Sequence, residues 1–249
     1  MKIGLISDTH IEATHSWPIP DNASDVLICA GDIGLLHNTE ELANYFNQLK
    51  ETTEHIIWVL GNHEFYHMDY KSALSIAKDF ADKNNIHLLD IELGTENLVI
   101  DGVKFWGSTL WTDMNDNNHY AKSNVSTFLN DFRVIKNVDH CFTTTEAYDI
   151  NQETIAKINW DADVIVTHHS PIIIPNSKYP LNDVTYGFCN TTLEQKILES
   201  DVKVWAYGHT HESKDLDLNG TRVISNQSGY GDGKYKEDTG YQSDLIIEI

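Results

Sequence analysis

HIIWVLGNHE, residues 55–64, is an apolar run that ends directly in the polar group Gly61-Asn62-His63-Glu64. A short apolar run of this kind is typical of a buried strand. The same succession occurs five times, with apolar runs at residues 2–7, 26–30, 55–60, 164–166 and 202–206. The polar groups that follow them are Asp8-Thr9-His10, Gly31-Asp32, Gly61-Asn62-His63-Glu64, Thr167-His168-His169 and Gly208-His209-Thr210-His211.

The position of these groups predicts a metal site. In an open α/β sheet, ligands bind at the carboxyl ends of the strands. The groups carry carboxylate, amide and imidazole side chains, which supply the oxygen and nitrogen ligands of transition-metal ions. Each group alone is weak evidence, since Gly-Asp is above all a turn sequence. Together, in order and each after a predicted strand, they predict a binuclear metal centre and therefore a hydrolase.

The spacing of apolar residues predicts an α/β chain. Helical periodicity over residues 39–50 and 70–84 alternates with the first strands, which favours a parallel sheet covered by helices. From residue 98 onwards, two hairpin signals, at Asp101-Gly102 and Asn219-Gly220, and a last strand at 245–249 predict antiparallel pieces that build a second sheet. Thr143 with Glu146, and Thr191 with Glu194, have the spacing of capping boxes and predict two further helix starts.

The five polar groups together resemble the signature of the calcineurin-like metallophosphoesterase superfamily. That signature is Asp-x-His, Gly-Asp, Gly-Asn-His-(Asp or Glu), a His-bearing strand end and Gly-His-x-His, and the match extends from Asp8 to His211. The resemblance implies a four-layer αββα sandwich, in which two mixed β-sheets are flanked by helices. We interpret residues 1–249 as a single domain of this kind, because no linker or repeat interrupts the chain.

The resemblance also implies the ligands of two metal ions. Asp32 would bridge the ions; Asp8, His10 and His211 would complete one site, and Asn62, His168 and His209 the other. Mixed imidazole and carboxylate ligation suits Mn, Fe, Zn, Ni or Co better than Ca or Mg, and the sequence does not choose among them. His168 rather than the adjacent His169 fits the family pattern as the ligand.

Two ions about 3.5–4 Å apart can share a hydroxide that attacks a phosphate ester in line. The departing alkoxide then needs an acid, and His63 fits the leaving-group residue of the family. The alternative for His63 is a structural role in a turn. Glu64 has no evident ligand role, and we expect it at most to orient His63.

The departures from one branch of the superfamily favour phosphodiesters. Phosphoprotein phosphatases carry Arg residues after the bridging Asp and before Gly-Asn-His-Glu, whereas this chain has Ile33-Gly34 and Leu60 there. The Gly-His-Thr-His ending looks like the phosphodiesterase-type branch, and a diester carries only one negative charge for the ions to hold. The alternatives are a phosphomonoesterase or nucleotidase, a phosphoprotein phosphatase and, more remotely, a non-catalytic interaction scaffold.

Composition restricts the partners. The 249 residues include 17 Lys and Arg against 38 Asp and Glu, a net charge of −21, which disfavours a long nucleic acid and leaves a small-molecule phosphate ester as the expected substrate. No apolar run approaches the ~18 residues of a membrane span, and the chain starts without a leader pattern, so we expect a cytoplasmic protein without a membrane partner. Three cysteines do not suggest a disulfide framework, and the oligomeric state stays open.

Two polar, aromatic-containing stretches, residues 111–142 and 170–190, interrupt the scaffold pattern. We expect them to be insertions that wall the substrate pocket, because loops on a rigid scaffold often carry recognition. The alternative is that they are surface connections. Arg133 lies in the first stretch, where it would either clamp a phosphate oxygen or pair with a surface carboxylate.

Overall fold

The computed structural model describes residues 1–177 and 181–249. Tyr179 and Pro180 of the predicted insertion at 170–190 therefore lie outside the described residues. The strands are, in chain order, β1 (Lys2–Ile6), β2 (Ser24–Ala30), β3 (Thr53–Val59), β4 (His87–Leu88), β5 (Asn97–Ile100), β6 (Val103–Ser108), β7 (Lys136–Asn137), β8 (His140–Cys141), β9 (Val164–Thr167), β10 (Val204–Tyr207), β11 (Asp215–Leu218), β12 (Thr221–Ser225) and β13 (Ile246–Glu248).

The helices are α1 (Thr39–Leu49), α2 (Tyr70–Asn84), α3 (Met114–Asn117), α4 (His119–Phe128), α5 (Asp131–Val134), α6 (Thr144–Lys157) and α7 (Glu194–Leu198). Of these, α3 is a single turn with left-handed backbone at Asn115 and Asp116. The predicted helices at 39–50 and 70–84 coincide with α1 and α2 to within one residue. Their amphipathic spacing leaves one apolar face for each helix to bury.

Eleven of the described strands form two mixed sheets, and β7 and β8 pair with each other in a separate antiparallel hairpin. The first has the order β13-β1-β2-β3-β4, and the second β11-β12-β10-β9-β6-β5. In the first sheet β1, β2, β3 and β4 are parallel, and in the second β6, β9, β10 and β12 are parallel. All five polar groups therefore follow parallel strands, three in the first sheet and two in the second.

The prediction that the last strand joins the second sheet is wrong. Instead β13 pairs antiparallel with β1, so that Ile3 lies opposite Ile247 at the edge of the first sheet. No hairpin signal joins this strand to the strand before it, so its partner is set by tertiary packing. The second sheet also differs from the expectation. The hairpin signals predicted antiparallel strands, whereas the strands at its centre are parallel.

The alternation of side chains along the strands builds the layers. Val26 and Ile28 of β2 point into the core between the two sheets, whereas Leu27 and Cys29 point to the opposite face, which packs on α1 and α2. The outer face of the second sheet is covered by residues that include Ile158, after α6, and Ile197 of α7. The expected four-layer αββα sandwich is thus confirmed.

One of the two predicted capping boxes is wrong. Thr143 and Glu146 form both reciprocal hydrogen bonds at the start of α6. Thr191 does not cap α7, which begins at Glu194 after Leu193 without a side-chain cap. The Thr191 hydroxyl donates instead to Asp113 Oδ2 at 2.9 Å, because a buried carboxylate from the first insertion competes for it.

Among residues 1–177 and 181–249, no helix combines the length and the apolar character that crossing a membrane requires.

Candidate metal centre

The backbone at the strand ends adopts an uncommon conformation. Five of the candidate ligands have positive φ, a region that residues other than glycine rarely occupy. The angles are 51° at Asp8, 42° at His10, 52° at Asp32, 71° at His209 and 50° at His211. Strain of this kind persists where surrounding structure enforces it and is concentrated at functional sites. Here it turns the side chains out of the strands towards one shared space.

Glycines allow the loops to approach one another. A β-carbon at Gly61 would lie 2.2 Å from Asp32 Oδ1, and one at Gly31 would lie 2.4 Å from His168 Nδ1. Both distances are far below any real contact. The two glycines of Gly31-Asp32 and Gly61-Asn62 are therefore required for the carboxylate and the imidazole to meet.

Asp8, His10 and His211 form one group of candidate ligands. One ligand atom from each lies within 4.8 Å of the others. His10 Nε2 is 3.1 Å from His211 Nε2, and His211 Nε2 is 3.6 Å from Asp8 Oδ1. The structure thus brings together side chains that are about 200 residues apart in the sequence, at the ends of β1 and β10.

Asp32, His168 and His209 form a second group under the same distance criterion, and all three are buried. Asn62 completes it, because its Oδ1 is 2.9 Å from His168 Nε2. His168 Nε2 is also 3.1 Å from His209 Nδ1. The amide oxygen and the imidazole nitrogens therefore converge on one point.

Asp32 lies between the two groups. Its Oδ2 is 3.7 Å from His10 Nε2, and its Oδ1 is 3.4 Å from His168 Nε2. The two oxygens of one carboxylate thus face the imidazoles of different groups. This is the placement that a bridging ligand requires.

The donor set fits two metal ions. Each group brings two imidazole nitrogens face to face, His10 Nε2 with His211 Nε2 and His168 Nε2 with His209 Nδ1, both at 3.1 Å, and a bound ion would give all four a partner. Three of the candidate imidazoles have the second ring nitrogen against an oxygen: His10 Nδ1 at Glu12, His168 Nδ1 at the Ala30 carbonyl and His211 Nδ1 at Glu237, at 3.3, 2.9 and 2.5 Å. Such outer contacts orient metal-binding histidines and fix their tautomers. A divalent ion in each group would satisfy the inward-facing nitrogens.

Glu64 has a different role from the one expected of it. Its carboxylate accepts backbone N–H groups of Asp32, Ile33 and Gly61 at 3.0, 2.7 and 2.7 Å, and it does not contact the His63 ring. The side chain is fully buried. Burial, together with a smaller effect of the nearby Asp32 carboxylate, raises the pKa of Glu64 to about 7. Glu64 therefore ties the loop after β2 to the loop after β3 and fixes Asp32 relative to Asn62.

His63 lies at the mouth of the site. Its ring stacks on Tyr66 with centroids 4.1 Å apart, its Nδ1 is 3.1 Å from Glu12 Oε1, and its Nε2 is 3.0 Å from the Tyr230 hydroxyl. Burial lowers the pKa of His63, but the carboxylates of Asp32 and Glu12 outweigh burial and raise the pKa to about 9. A protonated imidazole with a defined orientation is the form that donates a proton.

His169 is separated from the inward-facing nitrogens. Its Nδ1 donates to the Thr109 carbonyl at 3.2 Å, and its ring packs against Trp111 and His209. Burial, together with a smaller effect of neighbouring His168, lowers the pKa of His169 to about 3. It is therefore a neutral side chain that supports His209.

Four residues of the site were not recognised from the sequence: Asp131, Tyr230, Glu237 and Glu12. Asp131, at the start of α5, accepts hydrogen bonds from Asn62 Nδ2 at 2.8 Å and from the Tyr66 hydroxyl at 2.7 Å. Of these four, only Tyr230 has a local signal in the sequence, the glycines Gly229 and Gly231 on either side of it. In the structure both glycines have positive φ, 75° and 77°. The others are recognisable only once the chain is folded.

Arg133 does not reach the site. Its guanidinium donates to the carbonyls of Thr127 and Phe128 at 3.1 and 3.4 Å and to Asn130 Oδ1 at 2.7 Å. Arg133 therefore stabilises the end of α4. It neither clamps a phosphate oxygen in the pocket nor pairs with a surface carboxylate, the two roles expected from the sequence.

The space in front of the candidate ligands is a pocket of about 210 Å³. Part of its wall comes from the candidate ligands Asp32, Asn62, His209 and His211. The rest includes Phe128, Leu129, Asn130 and Asp131 from the first predicted insertion and Phe188 from the second. Both stretches thus contribute to the pocket.

Comparisons with known proteins agree with this geometry. The model of the calcineurin-like phosphoesterase family matches residues 1–213. An uncharacterized protein of Acanthamoeba polyphaga mimivirus is 27% identical over 264 residues, which cover 90% of each chain.

Two solved structures show the same fold at low sequence identity. The phosphopantetheinyl hydrolase of Mycobacterium tuberculosis has a TM-score of 0.70 and 17% identity, over 92% of this chain and 89% of that one. A dimetal phosphatase from Danio rerio has a TM-score of 0.52 and 13% identity, over 92% and 90%. With the family match over most of its length, the chain belongs to the calcineurin-like phosphoesterase family and is a phosphate-ester hydrolase.

Proposed function

We propose that the protein is a phosphodiesterase that hydrolyses a small-molecule diester to a monoester and an alcohol. The observation that carries this proposal is the lack of Lys and Arg side chains among the described residues of the pocket, in which the protonated side chain of His63 is the proposed proton donor. None of the described residues that line it is Lys or Arg, and Asp131 and Glu237 add negative charge. A monoester dianion would find no Lys or Arg there for its second charge, whereas a diester monoanion needs only the ions.

We further propose that Asp8, His10, Asp32, Asn62, His168, His209 and His211 hold two divalent ions. When bound, the ions would supply activation of water at neutral pH and neutralise charge on the phosphate oxygens. The mixed ligand set favours Mn, Fe, Zn, Ni or Co. Reconstitution of the metal-free protein with each ion in turn, followed by activity assays, identifies the effective metal.

We assign the proton donor to His63. Attack of water on phosphorus forms one P–O bond and releases a proton to the solvent. The bond to the leaving group breaks, and the leaving oxygen must take up a proton. The His63 imidazole lies at the mouth of the pocket and is oriented by Glu12 and Tyr66, which supports its role as the donor of that proton. In this proposal a leaving-group oxygen would replace the Tyr230 hydroxyl, which is 3.0 Å from Nε2.

The experiment is a comparison of p-nitrophenyl methyl phosphate with p-nitrophenyl phosphate, which share a leaving group and differ in charge. We expect a higher kcat/KM for the diester. A panel of natural diesters should include a phosphopantetheinyl diester, since the mycobacterial enzyme of similar fold is named a phosphopantetheinyl hydrolase. A clear preference for the monoester would contradict the proposal and favour a phosphomonoesterase or nucleotidase.

A further inference from the structure

A second cavity, of about 580 Å³, adjoins the metal pocket. It lies between α4 and the second predicted insertion, and its volume is in the range of sites for whole organic ligands. Its lining residues include Phe128, Ile174, Leu181, Val184, Phe188 and Thr210.

The cavity and the metal pocket share part of their walls. Phe128, Phe188 and Thr210 line both. Thr210 lies between the candidate ligands His209 and His211, and the Phe188 ring packs on the His209 ring with centroids 4.8 Å apart. The cavity therefore lies directly beside the position of a phosphate in the metal pocket, next to any group attached to that phosphate.

The walls define the chemistry of that group. Ile174, Leu181, Val184 and the two Phe rings present apolar surface, whereas Asn and Thr side chains offer scattered hydrogen-bonding groups. Of the described lining residues none is Lys, Arg or His, and the one charged side chain is the carboxylate of Asp183, which accepts from Asn124 Nδ2 at 2.8 Å. An additional phosphate or carboxylate would be repelled, and an uncharged apolar group would gain from burial.

We propose that this cavity binds an uncharged, largely apolar ester group of the phosphodiester substrate. The inference rests on the phosphodiesterase activity proposed above and names the class of substrate: a diester in which one alcohol is a neutral organic group too large for the metal pocket.

The test uses p-nitrophenyl phosphodiesters whose second ester group is methyl, hexyl or 5-carboxypentyl. Because each buried methylene favours binding, we expect kcat/KM for the hexyl ester to exceed that of the methyl ester by roughly tenfold or more. The carboxypentyl ester should lose most of this gain. A thymidine ester that is preferred over the hexyl ester would overturn the apolar assignment.

Val184→Asp places a charge in the cavity wall, and Val99→Asp is the matched control on the exposed face of β5, where Val99 is 64% exposed. We expect the hexyl-to-methyl ratio to fall towards one in Val184→Asp and to stay unchanged in Val99→Asp. Asp183→Asn should reduce the difference in kcat/KM between the hexyl and the carboxypentyl esters. A ratio that is insensitive to Val184→Asp would overturn the proposal.

Binding of N-hexylacetamide, measured by saturation-transfer NMR, is a readout that does not depend on catalysis. It should be several-fold weaker in Val184→Asp than in the wild type and in Val99→Asp. Hydrolysis of the methyl ester without a hexyl preference and without amide binding would overturn the cavity proposal alone. Amide binding without hydrolysis of any diester would overturn the phosphodiesterase proposal, and with it the role of the cavity in that reaction.

Discussion

Asp131 fixes the orientation of Asn62, because the Asn62 Nδ2 group donates to Asp131 Oδ1 at 2.8 Å and thereby turns the amide oxygen towards His168 Nε2. An asparagine amide can face either way, and a carboxylate accepts only from its nitrogen end. The first predicted insertion thus contributes to the metal centre through a contact between residues 69 positions apart.

We therefore expect Asp131→Ala to weaken binding of the ion on the Asn62 side. Loss of an outer partner of a metal ligand typically costs about 10–100-fold in affinity. Asp139→Ala, in the exposed turn between β7 and β8, is the matched control. Metal titration followed by elemental analysis checks the prediction, and equal metal affinity in both variants would contradict it.

The fold and the seven candidate ligands could be proposed from the sequence because the polar groups that carry the family resemblance are local patterns. An apolar run followed by a polar group marks a strand and its carboxyl end, as at β3 and Asn62. Asp131 and Glu237 carry no such pattern, since they meet Asn62 and His211 only through long-range packing. The failed cap at Thr191 has the same origin, because the competing acceptor Asp113 is 78 residues away.

Asp32→Ala should remove the shared ligand and reduce metal content from about two ions per chain, with activity lower by several orders of magnitude. The expectation follows from the two Asp32 oxygens, which face His10 and His168. Elemental analysis and diester hydrolysis are the measurements. An active variant that retains both ions would show that Asp32 does not bridge them.

His63→Gln should slow turnover while metal content stays nearly constant, because His63 is not among the candidate ligands. General acid catalysis is worth roughly 10²–10⁴-fold. The loss should be large for a methyl phosphodiester with a poor alkoxide leaving group and small for one with p-nitrophenolate, which needs no proton. Equal losses for both leaving groups would identify His63 as a binding residue.

His168→Ala and His169→Ala should differ in metal content. His168 Nε2 faces Asn62 and His209, whereas His169 donates to the Thr109 carbonyl away from the group. We expect His168→Ala to lose one ion and most activity, and His169→Ala to keep both ions with a milder change in rate. The opposite pattern of metal loss would exchange the two assignments.

Asp90 is a buried carboxylate outside the metal centre that should make stability depend on pH. It follows β4, is 2% exposed, and accepts the backbone N–H groups of Glu92 and Leu93 at 2.8 and 3.2 Å. Burial raises the pKa of Asp90 to about 6. The folded state therefore binds this proton more tightly than the unfolded state, so the contribution to stability is present below about pH 4 and is lost as pH rises to about 6.

Asp90→Asn keeps the acceptor for both N–H groups and removes the charge. We expect the variant to exceed the wild type in free energy of unfolding by about 1–3 kcal/mol at pH 7, and the difference to shrink towards zero near pH 4. Urea unfolding of both proteins at the two pH values measures it. Asp79→Asn, at an exposed position in α2, is the control for loss of one negative charge from an acidic chain. If Asp90→Asn were the less stable protein at pH 7, the carboxylate would stabilise the turn more than its burial costs.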